Sequence, residues 1–84
     1  EQSMKEERKK KIKELEEMIE VVLLSIPREI ASQKYYQSAF EKATTDTSRK
    51  FFQSLVKEEK HHEAKLRKVL NKLQNELKKV KELK

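Results

Sequence analysis

Leu55-Val56-Lys57-Glu58-Glu59-Lys60-His61-His62-Glu63-Ala64-Lys65-Leu66 is the stretch that decides the fold. Glu59 and His62 stand three apart, so on an α-helix they are surface neighbours. They also interrupt an apolar seam. Phe52, Leu55, Leu66, Val69, Leu73, Val80 and Leu83 follow one alternating three-and-four spacing, and Glu59, His62 and Glu76 fill its remaining slots. Such a seam is the stripe on which a helix packs. A carboxylate and an imidazole within it are costly unless something satisfies them, and a metal ion would do so.

Upstream, residues 4–24 read as helix, with Ile12, Leu15, Ile19 and Val22 as an apolar stripe. Pro27 removes a backbone donor and kinks or ends a helix. Two arrangements follow: one long helix kinked near Pro27, or two helices with Ser25 as the second N-cap and Pro27 in its first turn. The single kinked helix is preferred, because the apolar phase carries across as Leu15, Val22, Ile26, Glu29, Gln33, Tyr36 and Phe40. Glu29 thus places a second carboxylate where its neighbours mark the core.

Between the two segments lies Thr44-Thr45-Asp46-Thr47-Ser48, rich in side chains that cap helix N-termini. A loop at about 44–46 is expected, with Thr45 or Asp46 as N-cap of a final helix from about 47 to 82. The 84 residues then form a single all-α domain, 1–84, an antiparallel helical hairpin. Composition agrees: no Gly, one Pro, 43% charged and 35% hydrophobic residues. So short and polar a chain buries little alone, and a homo-oligomer, at least a dimer, is expected.

Composition also excludes. Without cysteine there is no disulfide, thiolate chemistry or cysteine-ligated metal. No apolar run approaches membrane-spanning length, since the longest, Val21-Val22-Leu23-Leu24, has four residues. No signal-peptide pattern precedes the amphipathic start, so a cytoplasmic location is expected. The net charge of +6 permits nucleic-acid binding. Its Lys and Arg are interleaved with Glu, however, and no basic block is paired with stacking aromatics, so nucleic acid is disfavoured as a partner.

The ligand count makes the chemistry specific. One hairpin offers Glu29 from its first helix, and Glu59 with His62 from its second. Two hairpins packed as a four-helix bundle offer four carboxylates and two imidazoles. That is the di-metal carboxylate set: one Glu from each of two helices, and Glu-x-x-His from each of the other two. Carboxylate oxygens bridge and neutralise two divalent ions, and imidazole adds a terminal ligand. Glu29 lies 17 residues before Asp46, and Glu59 and His62 lie 13 and 16 after it, so a short turn sets them at similar depth.

Glu29 followed by Tyr35-Tyr36, Ala39-Phe40, a short loop with Asp46, Phe51-Phe52, then Leu55, Glu58-Glu59-x-x-His62 and Leu66 resembles one half of a ferritin-like, rubrerythrin-type domain. The resemblance covers roughly residues 26–70. It implies dimerisation into a ferritin-like four-helix bundle holding two iron ions, or manganese or another divalent metal, with Glu29, Glu59 and His62 as metal and catalytic residues. It implies ferroxidase, or peroxide- or dioxygen-reducing, activity on iron and small oxidants. The single-half layout is similar to the short ferritins packaged in encapsulin shells, which adds an encapsulin-type shell as an expected partner, although no shell-targeting tail is evident. The chain departs from the usual pattern in having one half rather than two, and in lacking a rubredoxin-like cysteine module.

Each of these residues also has a plainer explanation. Glu59 and His62 can form an ordinary ion pair or a register-setting polar layer. Glu29 can pair with Lys or Arg. Tyr36 is core packing or a neighbour of the ligands, and Gln33 is a hydrogen-bond donor to them or a partly exposed polar residue. His61, about 100° around the helix from His62, reads as flank. Glu58 and Glu63 replace the seam residues if the register is off by one. The competing function is a non-enzymatic helical-hairpin or coiled-coil interaction protein, binding nucleic acid through its basic surface.

Overall fold

A computed structural model describes residues 2–83; Glu1 and Lys84 lie outside the described residues. It contains two helices, α1 (Gln2–Lys42) and α2 (Asp46–Glu82), packed along their length as an antiparallel hairpin. The molecule is a rod of 66 × 14 × 13 Å. That length follows from 41 residues in α1 at a rise of about 1.5 Å each.

α1 runs through Pro27 as one helix. Pro27 is exposed, so the carbonyl four residues earlier, which loses its donor, stands where water can replace it. Ser25 adds a local bond, its hydroxyl donating to the Val21 carbonyl at 2.7 Å. The turn spans 43–45, one residue earlier than expected, and α2 starts at Asp46 itself. Thr45 is the N-cap: its backbone is extended (φ −95°, ψ 152°) and its Oγ1 accepts from the Ser48 amide at 3.1 Å. Asp46 instead sits in the first turn, where a negative charge meets the positive end of the helix dipole.

Arg49 closes the hairpin from the α2 side. Its guanidinium donates to the carbonyls of Phe40 and Ala43 at 3.4 and 3.2 Å, and its Cζ lies 4.3 Å from the centre of the Phe40 ring. One cation thus satisfies the open carbonyl end of α1 and packs on its last aromatic. At the far end, Arg8 donates to the Leu83 carbonyl and Lys81 pairs with Glu16 at 3.6 Å. Such exposed pairs add little individually.

The core is thin. Its buried residues are Leu15, Val22 and Ile26 on α1 and Val56 and Val80 on α2, spread along the rod, and among the described residues no large side chain is fully enclosed. Val21, Leu24 and Met18 on α1, with Phe51 and Val69 on α2, stay exposed. Among the described residues no helix is long and apolar enough to cross a membrane.

The seam of α2 needs one correction. Phe52, Glu59, Leu66, Leu73 and Val80, seven apart, do turn toward α1. Between them, the better buried positions are Val56, Glu63, Leu70 and Leu77, one residue after the expected Leu55, His62, Val69 and Glu76. Leu55 is still half-buried, but His62, Val69, Glu76 and Leu83 are exposed. A seven-residue repeat fits an α-helix with either a three- or a four-residue step first. Here the later step brings three apolar residues in four to the buried side, and the earlier step only two.

Candidate metal centre

About a third of the way along the rod from the turn, Glu29 of α1 faces Glu59 and His62 of α2. Nδ1 of His62 lies 3.5 Å from Oε2 of Glu29 and 3.7 Å from Oε1 of Glu59. One ligand atom from each of the three falls within 4.8 Å of the others. The carboxylates are sheltered, with side chains 25% and 17% exposed, while the His62 imidazole is 51% exposed. His62 therefore stands at the edge of the helix interface rather than inside it, joining the carboxylates from the flank.

Two features mark this group as unfinished. Oε2 of Glu29 is buried, and among the described residues no hydrogen bond reaches it. A buried acceptor without a partner is costly, and a cation beside it removes that cost. Glu59, in turn, is held above the usual carboxylate range. The first cause is the neighbouring Glu29 carboxyl; partial burial adds to this, and His62 opposes it. Two carboxylates set this close disfavour each other's charge, and a divalent ion between them would relieve that. The donor set, two carboxylates and one imidazole, suits iron, manganese or zinc, and the residues present fit a metal.

The neighbours differ from expectation. Gln33 does not reach Glu29; its amide donates to Oε1 of Glu63 at 2.7 Å. The other oxygen of Glu63 accepts from Arg67 Nε at 2.8 Å. These two bonds, Gln33 first, hold the Glu63 carboxyl below the usual range. Sequence reasoning held Glu63 only in reserve and did not single out Arg67, although Glu63 and Arg67 are four apart, the spacing of a helical ion pair. Tyr36 is half-buried and meets Tyr35 edge to face, ring centres 5.6 Å apart. Among the described residues its hydroxyl makes no hydrogen bond to the three-residue group, so packing explains it. His61 is exposed, as a flank residue should be.

Fold and donor set together define an all-α helical hairpin carrying a Glu/His group able to hold a metal. The rubrerythrin family matches residues 20–84, most of the chain, and the protein belongs to that family. No curated protein and no solved structure matches the chain.

Proposed function

We propose that this protein is a di-metal carboxylate protein whose site is completed by a second copy of the chain, and that it oxidises ferrous iron. The observation that supports this is the buried Oε2 of Glu29, which among the described residues accepts no hydrogen bond and is set against Glu59 and His62. One hairpin provides three donor residues and leaves the imidazole side open. A second hairpin, related by a two-fold axis, would present the same three and give four carboxylates to two divalent ions, a neutral assembly. The exposed Met18, Val21 and Leu24, and Val69 on the same face of α2 about two turns from His62, supply apolar surface for that contact.

A bound pair of iron or manganese ions supplies one-electron chemistry, with negative oxygen donors favouring the higher charge. Glu29 and Glu59 hold that charge from the sheltered side. His62, half exposed, would bind from the flank. Ferrous ions as substrate give up one electron each; dioxygen takes two electrons and two protons and leaves as hydrogen peroxide.

The test uses protein purified without a metal-affinity tag. Metal analysis should find about one ion per chain. Ferrous ions added without air, then exposed to air, should oxidise faster than a protein-free blank, and Glu29→Ala should remove the difference. Oxidation no faster than the blank, or equally fast after Glu29→Ala, would reduce the group to a polar layer of a helical interaction protein.

A further inference from the structure

Glu63 is the one carboxylate on the inner face of α2 near the metal group that the proposed site does not use. It is four residues from Glu59 and adjacent to His62 in sequence. Its two oxygens are engaged, one by Gln33 across the helix pair at 2.7 Å and one by Arg67 on its own helix at 2.8 Å. A side chain with both oxygens held is not free to turn toward a metal.

The direction of the Gln33–Glu63 bond matters. Gln33 lies one turn from Glu29 toward the loop. Glu63 lies one turn from Glu59 away from the loop, because α2 runs the opposite way. The bond therefore crosses the Glu29/Glu59 level diagonally. A diagonal tie resists the two helices sliding past each other, which a bond square to the axes does not. It also fixes the rotation of α2 about its axis, because Glu63 cannot leave the interface without carrying His62 around with it. The separations at stake are the 3.5 and 3.7 Å between His62 and the two carboxylates.

We infer that Gln33 and Glu63 form an interhelical strut that positions Glu59 and His62 against Glu29, with Glu63 a positioning residue and not a ligand, anchored by Arg67. This rests on the proposed metal site and adds to it the means by which its geometry is kept. Ligand atoms are effective only when their supports hold them, and such supports change metal affinity by about 10–100-fold when removed.

The test compares Co²⁺ binding by the native chain, Gln33→Ala, Gln33→Glu and the exchanged pair Q33E/E63Q. The exchanged pair restores a donor and an acceptor across the same gap with their sides reversed, and keeps the total charge. Affinity is read by titration, site geometry by the visible absorption of bound Co²⁺, and folding by circular dichroism. Gln33→Ala should keep its helicity, bind about tenfold more weakly and alter the Co²⁺ absorption. Gln33→Glu, which opposes two carboxylates, should bind more weakly still, and the exchanged pair should recover most of the loss. Native affinity in Gln33→Ala overturns the strut. So does an exchanged pair no better than Gln33→Glu, a comparison that stands even if Gln33→Ala loses helicity. A native chain that binds no Co²⁺ is a different failure: it removes the metal site, and the strut's purpose with it.

Discussion

Replacing Glu59 with Gln should make the metal-free protein more stable and the metal-loaded protein less so. The carboxylates of Glu29 and Glu59 have oxygens within 4.8 Å. Two unit charges at that distance repel by about 1 kcal/mol in water and about 3.5 kcal/mol at an effective dielectric constant of about 20. The side chains are 25% and 17% exposed, so the cost falls between these limits, and His62 at 3.7 Å offsets part of it whenever it is protonated. A net relief of about 1–2 kcal/mol per chain is reasonable, because the Gln amide keeps the shape and can donate to Glu29. In a bundle of two chains this becomes about 2–4 kcal/mol, and at about 2–4 °C per kcal/mol the midpoint should rise by about 5–15 °C.

The pH dependence has a fixed sign. The Glu59 carboxyl is raised in the folded protein, chiefly by Glu29. Its protonated form is favoured by folding, so its stabilising contribution is fully present below the usual carboxylate value of about 4.3. It is lost as pH rises through the raised value. Native and Glu59→Gln proteins should therefore melt together near that lower limit and diverge toward neutral pH. Thermal melts followed by circular dichroism in chelator, at several pH values, measure this. Metal should reverse the order: at 100 times its dissociation constant a ligand adds about 2.7 kcal/mol per site to the native protein, and much less to the variant. A Glu59→Gln protein that melts at or below the native midpoint in chelator at neutral pH would falsify the account of Glu29 and Glu59 as a strained, metal-ready pair.

Two further outcomes are expected. Thr45→Ala removes the oxygen that accepts from the Ser48 amide; it should cost about 1 kcal/mol and lower the midpoint by a few degrees without changing metal affinity, and a changed affinity would mean the turn is coupled to the site. Sedimentation equilibrium at micromolar concentration should show a dimer or larger species, because a rod only 14 × 13 Å across encloses almost no core; a fully helical monomer would refute the shared site.

The hairpin was legible because few local signals were needed to specify it. Without Gly, and with one cluster of capping residues at Thr44–Ser48, the chain has one place to turn. Glu29 was legible because Ile26 and Tyr36 mark the face it shares, and both are buried or half-buried as that face requires. The closing contact of Arg49 on the Phe40 and Ala43 carbonyls was not legible. An exposed-looking cation in a sequence with 21 Lys and Arg residues carries no mark of its target. The sequence places Gln33 on the inner face but leaves its partner open, because a helical wheel gives the direction of a side chain from its axis and not its reach along the neighbouring helix. Long side chains such as Gln and Glu span about a turn in either direction, and that freedom is what the diagonal bond to Glu63 uses.

The displacement of His62 from the seam has a physical cause that bears on assembly. α2 carries the seven-residue set Phe52, Glu59, Leu66, Leu73 and Val80, flanked on one side by Val56, Glu63, Leu70 and Leu77 and on the other by Leu55, His62, Val69 and Glu76. A helix with one neighbour needs only one flank. α1 covers the first, and most of the second faces outward with Val69 38% exposed. Two partly apolar flanks on one helix suit a bundle, since each helix there touches two others. Periodicity alone could not choose between the flanks because both belong to the packing stripe of such a helix. In the proposed dimer, the exposed His62 would stand at the seam between one pair of helices and the next, with its free side turned to the carboxylates of the second hairpin.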